Sequence, residues 1–492
     1  MLKRKSDYSQ LLLTKLLLVG LLTLLSSVAI AQTGTKLNIT MSPELVPAFS
    51  SDISDYIVRT GSDDTVTVNV DAPNGTAVSV DGKPFAGKKF SAKITSVTAG
   101  QSFKITVQSR GGGRGKVVEV KTYYIRRTPK DFPLWTTQRP GTPQSEYYVV
   151  APNLFANKPW VLVTDNYGTP IWWYRSNSVP VDPKFLSKDR IGWMNFGPGE
   201  EHALDGTRTH TYLPAGIPAA FMDPHELLKL PPGKRIHGSG NYVYIVAVWR
   251  GPVDLRPYGG VENTYVLDNV VEEVNSYGAL ISSYSSFDNI SVAETDPTWR
   301  FLLNSTNVDP YHMNSVEVVG DTYVISQRHM NAIICVHRKT GKMIWKLGGT
   351  PRPESLKFVG DAYANFGGNH DARILPDGNL TVHDNGTTQG RPPRGVRYSI
   401  DEVARTATLI EQITDANAPY SGFTGSSRKL SGGNWVMQWG GNPYFTELTS
   451  SGDLVFRMVF TEGVFSYRAD PVPFGYVDRK DLRNGMNKQF PR

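Results

Sequence analysis

YHMNSVEVVGDTYVISQRHMNAIICVHRKTGKMIWKLGG, residues 311–349, reads as four short strands in succession: HMNSVEVV, TYVISQR, AIICVHR and MIWKL. β-Branched and aromatic residues fill the strands and Gly-containing turns part them. The same layout recurs on both sides. DARILP, NLTVHDN, RGVRYSI and ATLIEQI follow (371–413), then SSRKL, NWVMQWG, YFTELT and LVFRMVF (426–460). ELLKL, YVYIVAVWR, NVVEEVN and ALISSYS precede (226–285). Two less regular stretches lie further upstream: YYVVAPN, WVLVTD and PIWWYR (147–175), then FLSKDRIGWMNF and HALDGTRTHTYL (185–213). Four strands per unit and six units predict a six-bladed β-propeller over residues 147–492. Three units open on a histidine in the same slot, His225, His312 and His370; a later one has Gly425 there. Residues that repeat in register across blades point into the central channel, so the three imidazoles are expected around one cavity on the axis. The Gly-x-x-Ile-Trp turns at 168–172 and 341–345 read as blade packing rather than ligand contacts.

The propeller is one part of a 492-residue chain. Lys3, Arg4 and Lys5, an apolar run from Leu16 to Val28 and the Ala29-Ile30-Ala31 site predict a secretory signal over 1–31. The run is short for a spanning anchor, so a periplasmic or secreted protein without stable membrane insertion is expected. Residues 36–127 carry alternating runs (TVTVNV, AVSV, FKITV, VVEVKTYYIRR) parted by turn signals, which predicts a β-sandwich of roughly seven strands. A Pro-rich linker spans 128–146. The fold class is therefore all-β, a sandwich followed by a propeller. The single cysteine, Cys335, has apolar neighbours and reads as a buried thiol without chemistry. Net charge is +7, falling to about +4 without the signal, with no basic cluster, which argues against a nucleic-acid partner.

Arg328 ends the second strand of the clearest unit, and Asn385 closes its counterpart in the next. Asn314 follows His312 by two, on the same strand face. A cation and several imidazoles around a cavity suit a tetrahedral oxyanion such as sulfate or phosphate, with one histidine as nucleophile. Three histidines can also hold zinc, but the arginine opposes a dication and no fourth ligand is obvious, so no metal and no cofactor are expected. The other histidines, His329 and His383 among them, read as satisfied side chains. Nucleophile-elbow, phosphate-loop and dinucleotide motifs are missing from the sequence.

HELLKL (225–230), the 311–349 stretch, NHDARILPDGNLTVHDNG (369–386), GSSRKLSGGNWVMQWGG (425–441) and SYRADPVPF (466–474) together resemble the PAPS-independent arylsulfotransferases of secreted bacterial enzymes. The resemblance implies a six-bladed propeller that moves a sulfuryl group from an aryl sulfate donor to a phenolic acceptor, ping-pong, through a sulfated histidine. By matching blocks it gives His370 as nucleophile, with His312, Arg328 and His225 catalytic and Asn314, Asn385 and Arg468 binding substrate. Asn369 stands where many relatives carry Gln, and the cysteine pair of some members is missing. Residues 36–127, opening on LNITMSPELV (37–46) through VSVDG (78–82), resemble the bacterial cadherin-like module, which implies a spacer or docking role. Two other readings remain open: a non-catalytic propeller that binds an anionic glycan or a protein, and a quinone-dependent dehydrogenase, for which more tryptophan docking turns are required. The oligomeric state is open, a homodimer being one option.

Overall fold

The computed structural model describes residues 36–61, 63–111, 116–152, 159–231 and 240–492. The expected signal over 1–31 lies outside them. Half of the chain is strand and 7% helix, so the fold is all-β, and no sheet closes on itself into a barrel. Among the described residues no helix is long and apolar enough to cross a membrane.

Two sheets build the N-terminal part. One is three-stranded, with Val66–Asp71 between Asn38–Ser42 and Lys89–Ile94. The other is six-stranded, centred on the hairpin Ser102–Gly111 and Lys116–Arg127. Alternation aims Ile39, Met41, Val66, Val68 and Val70 of the first at Val78, Val80, Phe103, Ile105 and Ile125 of the second, and these residues make one core. The strands number nine rather than roughly seven. The surplus is short pieces such as Leu45–Val46 and Lys83–Phe85, too brief to show a period in the sequence.

The rest of the described chain forms five sheets: four contain one four-stranded antiparallel ladder each, and a nine-stranded sheet contains two, joined in parallel through Ser355–Val359, six ladders in all. Their first strands are Ala469–Pro473, Pro180–Ser187, Phe221–Lys229, Met313–Val319, His370–Ile374 and Ser426–Lys429. From Pro180–Ser187 onward each first strand touches the next, ending at Ala469–Pro473, whose ladder returns to Pro180–Ser187 through Ser145–Val150. Sequence reading finds three strands in the earliest ladder. The fourth comes from the far end of the chain, where Ala469–Pro473 pairs with Ser145–Val150. The linker also does more than span a gap: Trp135–Gln138 pairs with Arg457–Phe460 and adds a fifth strand to the last ladder. Trp172 and Trp345 are buried between sheets, Trp172 donating to Leu204 O at 2.7 Å. Cys335 is buried, and burial pushes its thiol up to about 12.

The helix Arg479–Gln489, capped by Asp478, lies against Pro170–Arg175. Arg479 reaches both Asp55 of the N-terminal sheets and Asp165 of the first ladder, at 2.9 Å each. Asp165 ends the third strand of its ladder and Leu204 directly follows the third strand of the next, at the turns remote from the histidine slots, so the N-terminal sheets join the ladders away from those slots.

Candidate active site

Strand direction sets the site. Each first strand starts at the same end of its ladder, and the three histidines lie at those starts or within a few residues of them. His370 heads His370–Ile374, His312 immediately precedes Met313–Val319, and His225 sits in Phe221–Lys229 where the register shifts. The rings of His225 and His312 are 5.0 Å apart, edge to face. Tyr467 lies 5.7 Å from His225 and 6.4 Å from His370, so one aromatic ring links the histidines. In the slot where Gly425 replaces histidine, φ is +117° and an added Cβ would stand 2.4 Å from the His383 ring. Glycine there makes room for His383, which pairs across the ladder with His370.

The hydrogen bonds separate the histidines into two kinds. His225 Nδ1 is 2.5 Å from Asp223 Oδ1, and His312 Nδ1 is 2.6 Å from Asp309 Oδ2. A carboxylate accepts only, so both rings carry Nδ1–H and present Nε2. His370 Nδ1 instead donates to the neutral acceptors Asn385 Oδ1 (2.7 Å) and Gly368 O (2.9 Å). Its Nε2 lone pair accepts the Thr424 N–H at 3.1 Å. Burial, then the Arg328 guanidinium and the His383 ring, hold His370 well below the ordinary histidine value, so the ring is neutral. Burial likewise lowers His312, against the pull of Asp309.

Arg328 follows the strand Thr322–Gln327 and lies 4.3 Å over the Trp299 ring. Nη2 donates to Gly422 O (2.8 Å) and Nη1 to His329 Nε2 (2.6 Å). Burial lowers it to about 10, which leaves it a cation at neutral pH. His329, read from sequence as a bystander, therefore belongs to the cluster. Burial holds it at about 3, its Nδ1–H meets Asp309 O at 2.6 Å, and its ring is 4.6 Å from His312. Its position in a tight turn, with no counterpart slot in other units, gave it no signal. Asp223 and Asp309 were missed because they precede their histidines by two and three residues rather than at a common spacing.

The other expected residues are placed differently from one another. Asn385 holds His370 and donates to Ser421 Oγ (2.6 Å) and Thr424 O (2.8 Å), so it positions the ring and the loop over it. Asn314 Nδ2 donates to Asn369 O at 2.8 Å. Arg468, expected on the substrate, is enclosed by carboxylates instead: Asp182 at 2.8 Å, Glu226 at 3.3 Å and Asp371 at 3.5 Å, with Asn314 O at 2.6 Å. Its Nη1 and Nη2 donors face protein acceptors, which makes it a tie between strands. Asp309, His312 and His329 place donor atoms within 4.8 Å of one another, a spacing a metal ion could use. The guanidinium on His329 puts a positive charge at that cluster, and a dication would face it.

Residues 235–461 match the family model described as Arylsulfotransferase (ASST). The matched stretch contains His312, Asn314, Arg328, His370 and Asn385 and leaves out His225 and Arg468. Among curated proteins none matches the chain. Solved structures to which it is similar include a protein of unknown function from Bacteroides caccae (12% identity, covering 67% of this chain and 99% of that one, TM-score 0.42). A luciferin-regenerating enzyme is similar at 10% identity, covering 69% of this chain and 100% of that one, with TM-score 0.31. At these scores neither likeness bears on the reaction.

Proposed function

We propose that the chain is an aryl sulfotransferase built on a six-bladed propeller, exported to the periplasm or beyond, with His370 as the nucleophile. The observation that carries this is the state of His370: a neutral ring whose Nδ1–H is fixed by Asn385 and Gly368, leaving only Nε2 to attack. The family match over 235–461 supplies the group transferred. Nε2 attacks sulfur, the S–O bond to the aryl group breaks, and the phenolate leaves. A phenolic acceptor then takes the sulfuryl group from nitrogen and His370 returns unchanged. Arg328 stabilises charge on the sulfuryl oxygens. His370 is 1% exposed and its lone pair is occupied by Thr424 N–H, so donor binding must displace that bond; the same N–H then faces the sulfuryl group.

Incubation with a chromogenic aryl sulfate, with and without a phenol, tests the proposal. Phenol release that depends on the acceptor is the expected result. Equal release into water alone indicates a sulfatase, and no release from any aryl sulfate ends the reading.

A further inference from the structure

We propose that Asp309 is a positioning residue that makes His312 the proton carrier of the transfer. The proposal rests on the sulfuryl-transfer reading above. Both carboxylate oxygens of Asp309 are committed to one residue: Oδ1 accepts the His312 backbone N–H at 2.8 Å and Oδ2 faces Nδ1 at 2.6 Å. The first contact fixes the backbone, which at His312 has φ +49°, a region unusual for a side chain of this size. The second fixes ring rotation and tautomer and leaves Nε2 free to give or take a proton. A carboxylate behind an imidazole also stabilises the imidazolium, whereas the neutral amide behind His370 does not. The proton therefore goes to His312 and the sulfur to His370.

Asp309 reaches the cation as well. Its carbonyl accepts His329 Nδ1–H at 2.6 Å, and His329 Nε2 accepts Arg328 Nη1 at 2.6 Å. One residue thus sets both the proton carrier and the guanidinium. His225 has a similar carboxylate, Asp223. Of the two carboxylate-held rings, His312 is the one packed on the arginine's partner: its ring lies 4.6 Å from His329, whose Nε2 accepts Arg328 Nη1.

In the first half-reaction the electron pair of the broken S–O bond passes to the phenolic oxygen, which takes the Nε2 proton of the His312 imidazolium, loaded there by the acceptor phenol of the preceding turnover or by solvent, and leaves His312 neutral. In the second, the acceptor phenol gives its proton to His312 Nε2, its oxygen bonds to sulfur, and the N–S electron pair returns to His370. The need for that proton grows with the basicity of the leaving phenolate.

Rates of sulfated-enzyme formation from phenyl sulfate and from 4-nitrophenyl sulfate, read by mass spectrometry after a quench, separate a positioning role from a structural one. Asp309→Asn is expected to lose about 10²-fold more with phenyl sulfate than with 4-nitrophenyl sulfate, the size of a general-acid contribution. His312→Ala is expected to show the same selectivity. Should Asp309→Asn not fold, Asp309→Ser carries the comparison, with a small acceptor left for the backbone N–H. Equal losses for the two donors, or a pattern unlike that of His312→Ala, overturn the proposal alone. No adduct from either donor on the wild-type chain overturns the transfer reading and this proposal with it.

Discussion

The chemistry turns on which atom of each imidazole is free. Three rings share a slot, yet their Nδ1 partners differ: Asp223, Asp309, and for His370 an amide and a carbonyl. His370→Asn is expected to fold and to form no adduct, and the wild-type adduct should map to the peptide that contains His370. An adduct mapped elsewhere sinks the assignment. Arg328→Ala removes a charge-stabilising donor and should cost on the order of 3 kcal/mol at the transition state, seen as a lower kcat/KM. Because His370 is held well below the ordinary histidine value of 6.5, adduct formation from pre-bound donor should not fall as pH passes downward through that value. A drop centred there means that His370 titrates normally. The slot itself was legible, since register repeats in sequence as well as in space. The partners of the rings were less so: Asp309 and His329 come from turns whose lengths do not repeat, and Asn385, singled out in sequence, reads there as a substrate contact rather than as the partner of His370.

Strands place these rings, and buried ions hold the strands. Glu226 in Phe221–Lys229 accepts from Lys184 (2.6 Å), Arg373 (2.6 Å) and Arg468 (3.3 Å). Arg468 continues to Asp182 and Asp371, and Asp371 to Arg428 at 3.0 Å. With Glu317 of Met313–Val319 3.4 Å from Arg373, residues in or just ahead of all six first strands meet in one buried network. Replacing one partner leaves the others buried and uncompensated. Glu226→Ala is therefore expected to cost about 3–5 kcal/mol, measured by chemical unfolding. A loss under about 1 kcal/mol, the value of an exposed pair, contradicts the network. The sequence showed four regular units because their strands follow one another with short turns. It hid the closing strand Ala469–Pro473, whose partner Ser145–Val150 lies more than three hundred residues away. It also hid the role of Arg468, since its carboxylate partners come from three separate strands, Pro180–Ser187, Phe221–Lys229 and His370–Ile374.

Across the molecule, the neutral buried histidines set the response to acid. His329 at about 3, His383 at about 4 and His370 well below 6.5 stay uncharged in the folded chain while the unfolded chain takes up protons from 6.5 downward. The unfolded state then binds more protons, so stability falls as pH falls below 6.5. The slope is roughly 1.4 kcal/mol per pH unit for each such histidine. Stability that is flat between 6.5 and about 4.5 argues against neutral burial. The N-terminal sheets answer to a different contact. Arg479 and Arg483 of the C-terminal helix both reach Asp55, which is 6% exposed, with Arg483 Nε at 2.7 Å and Arg126 meeting Asn487 at 2.7 Å. Arg479→Ala with Arg483→Ala strips Asp55 of both cations at a buried boundary, which is expected to split thermal unfolding into two transitions in calorimetry. Because this boundary lies at the turns remote from the histidine slots, adduct formation at His370 should proceed at the wild-type rate in the same variant. Activity that falls in step with the uncoupling indicates instead that the N-terminal sheets act on the site through the ladders.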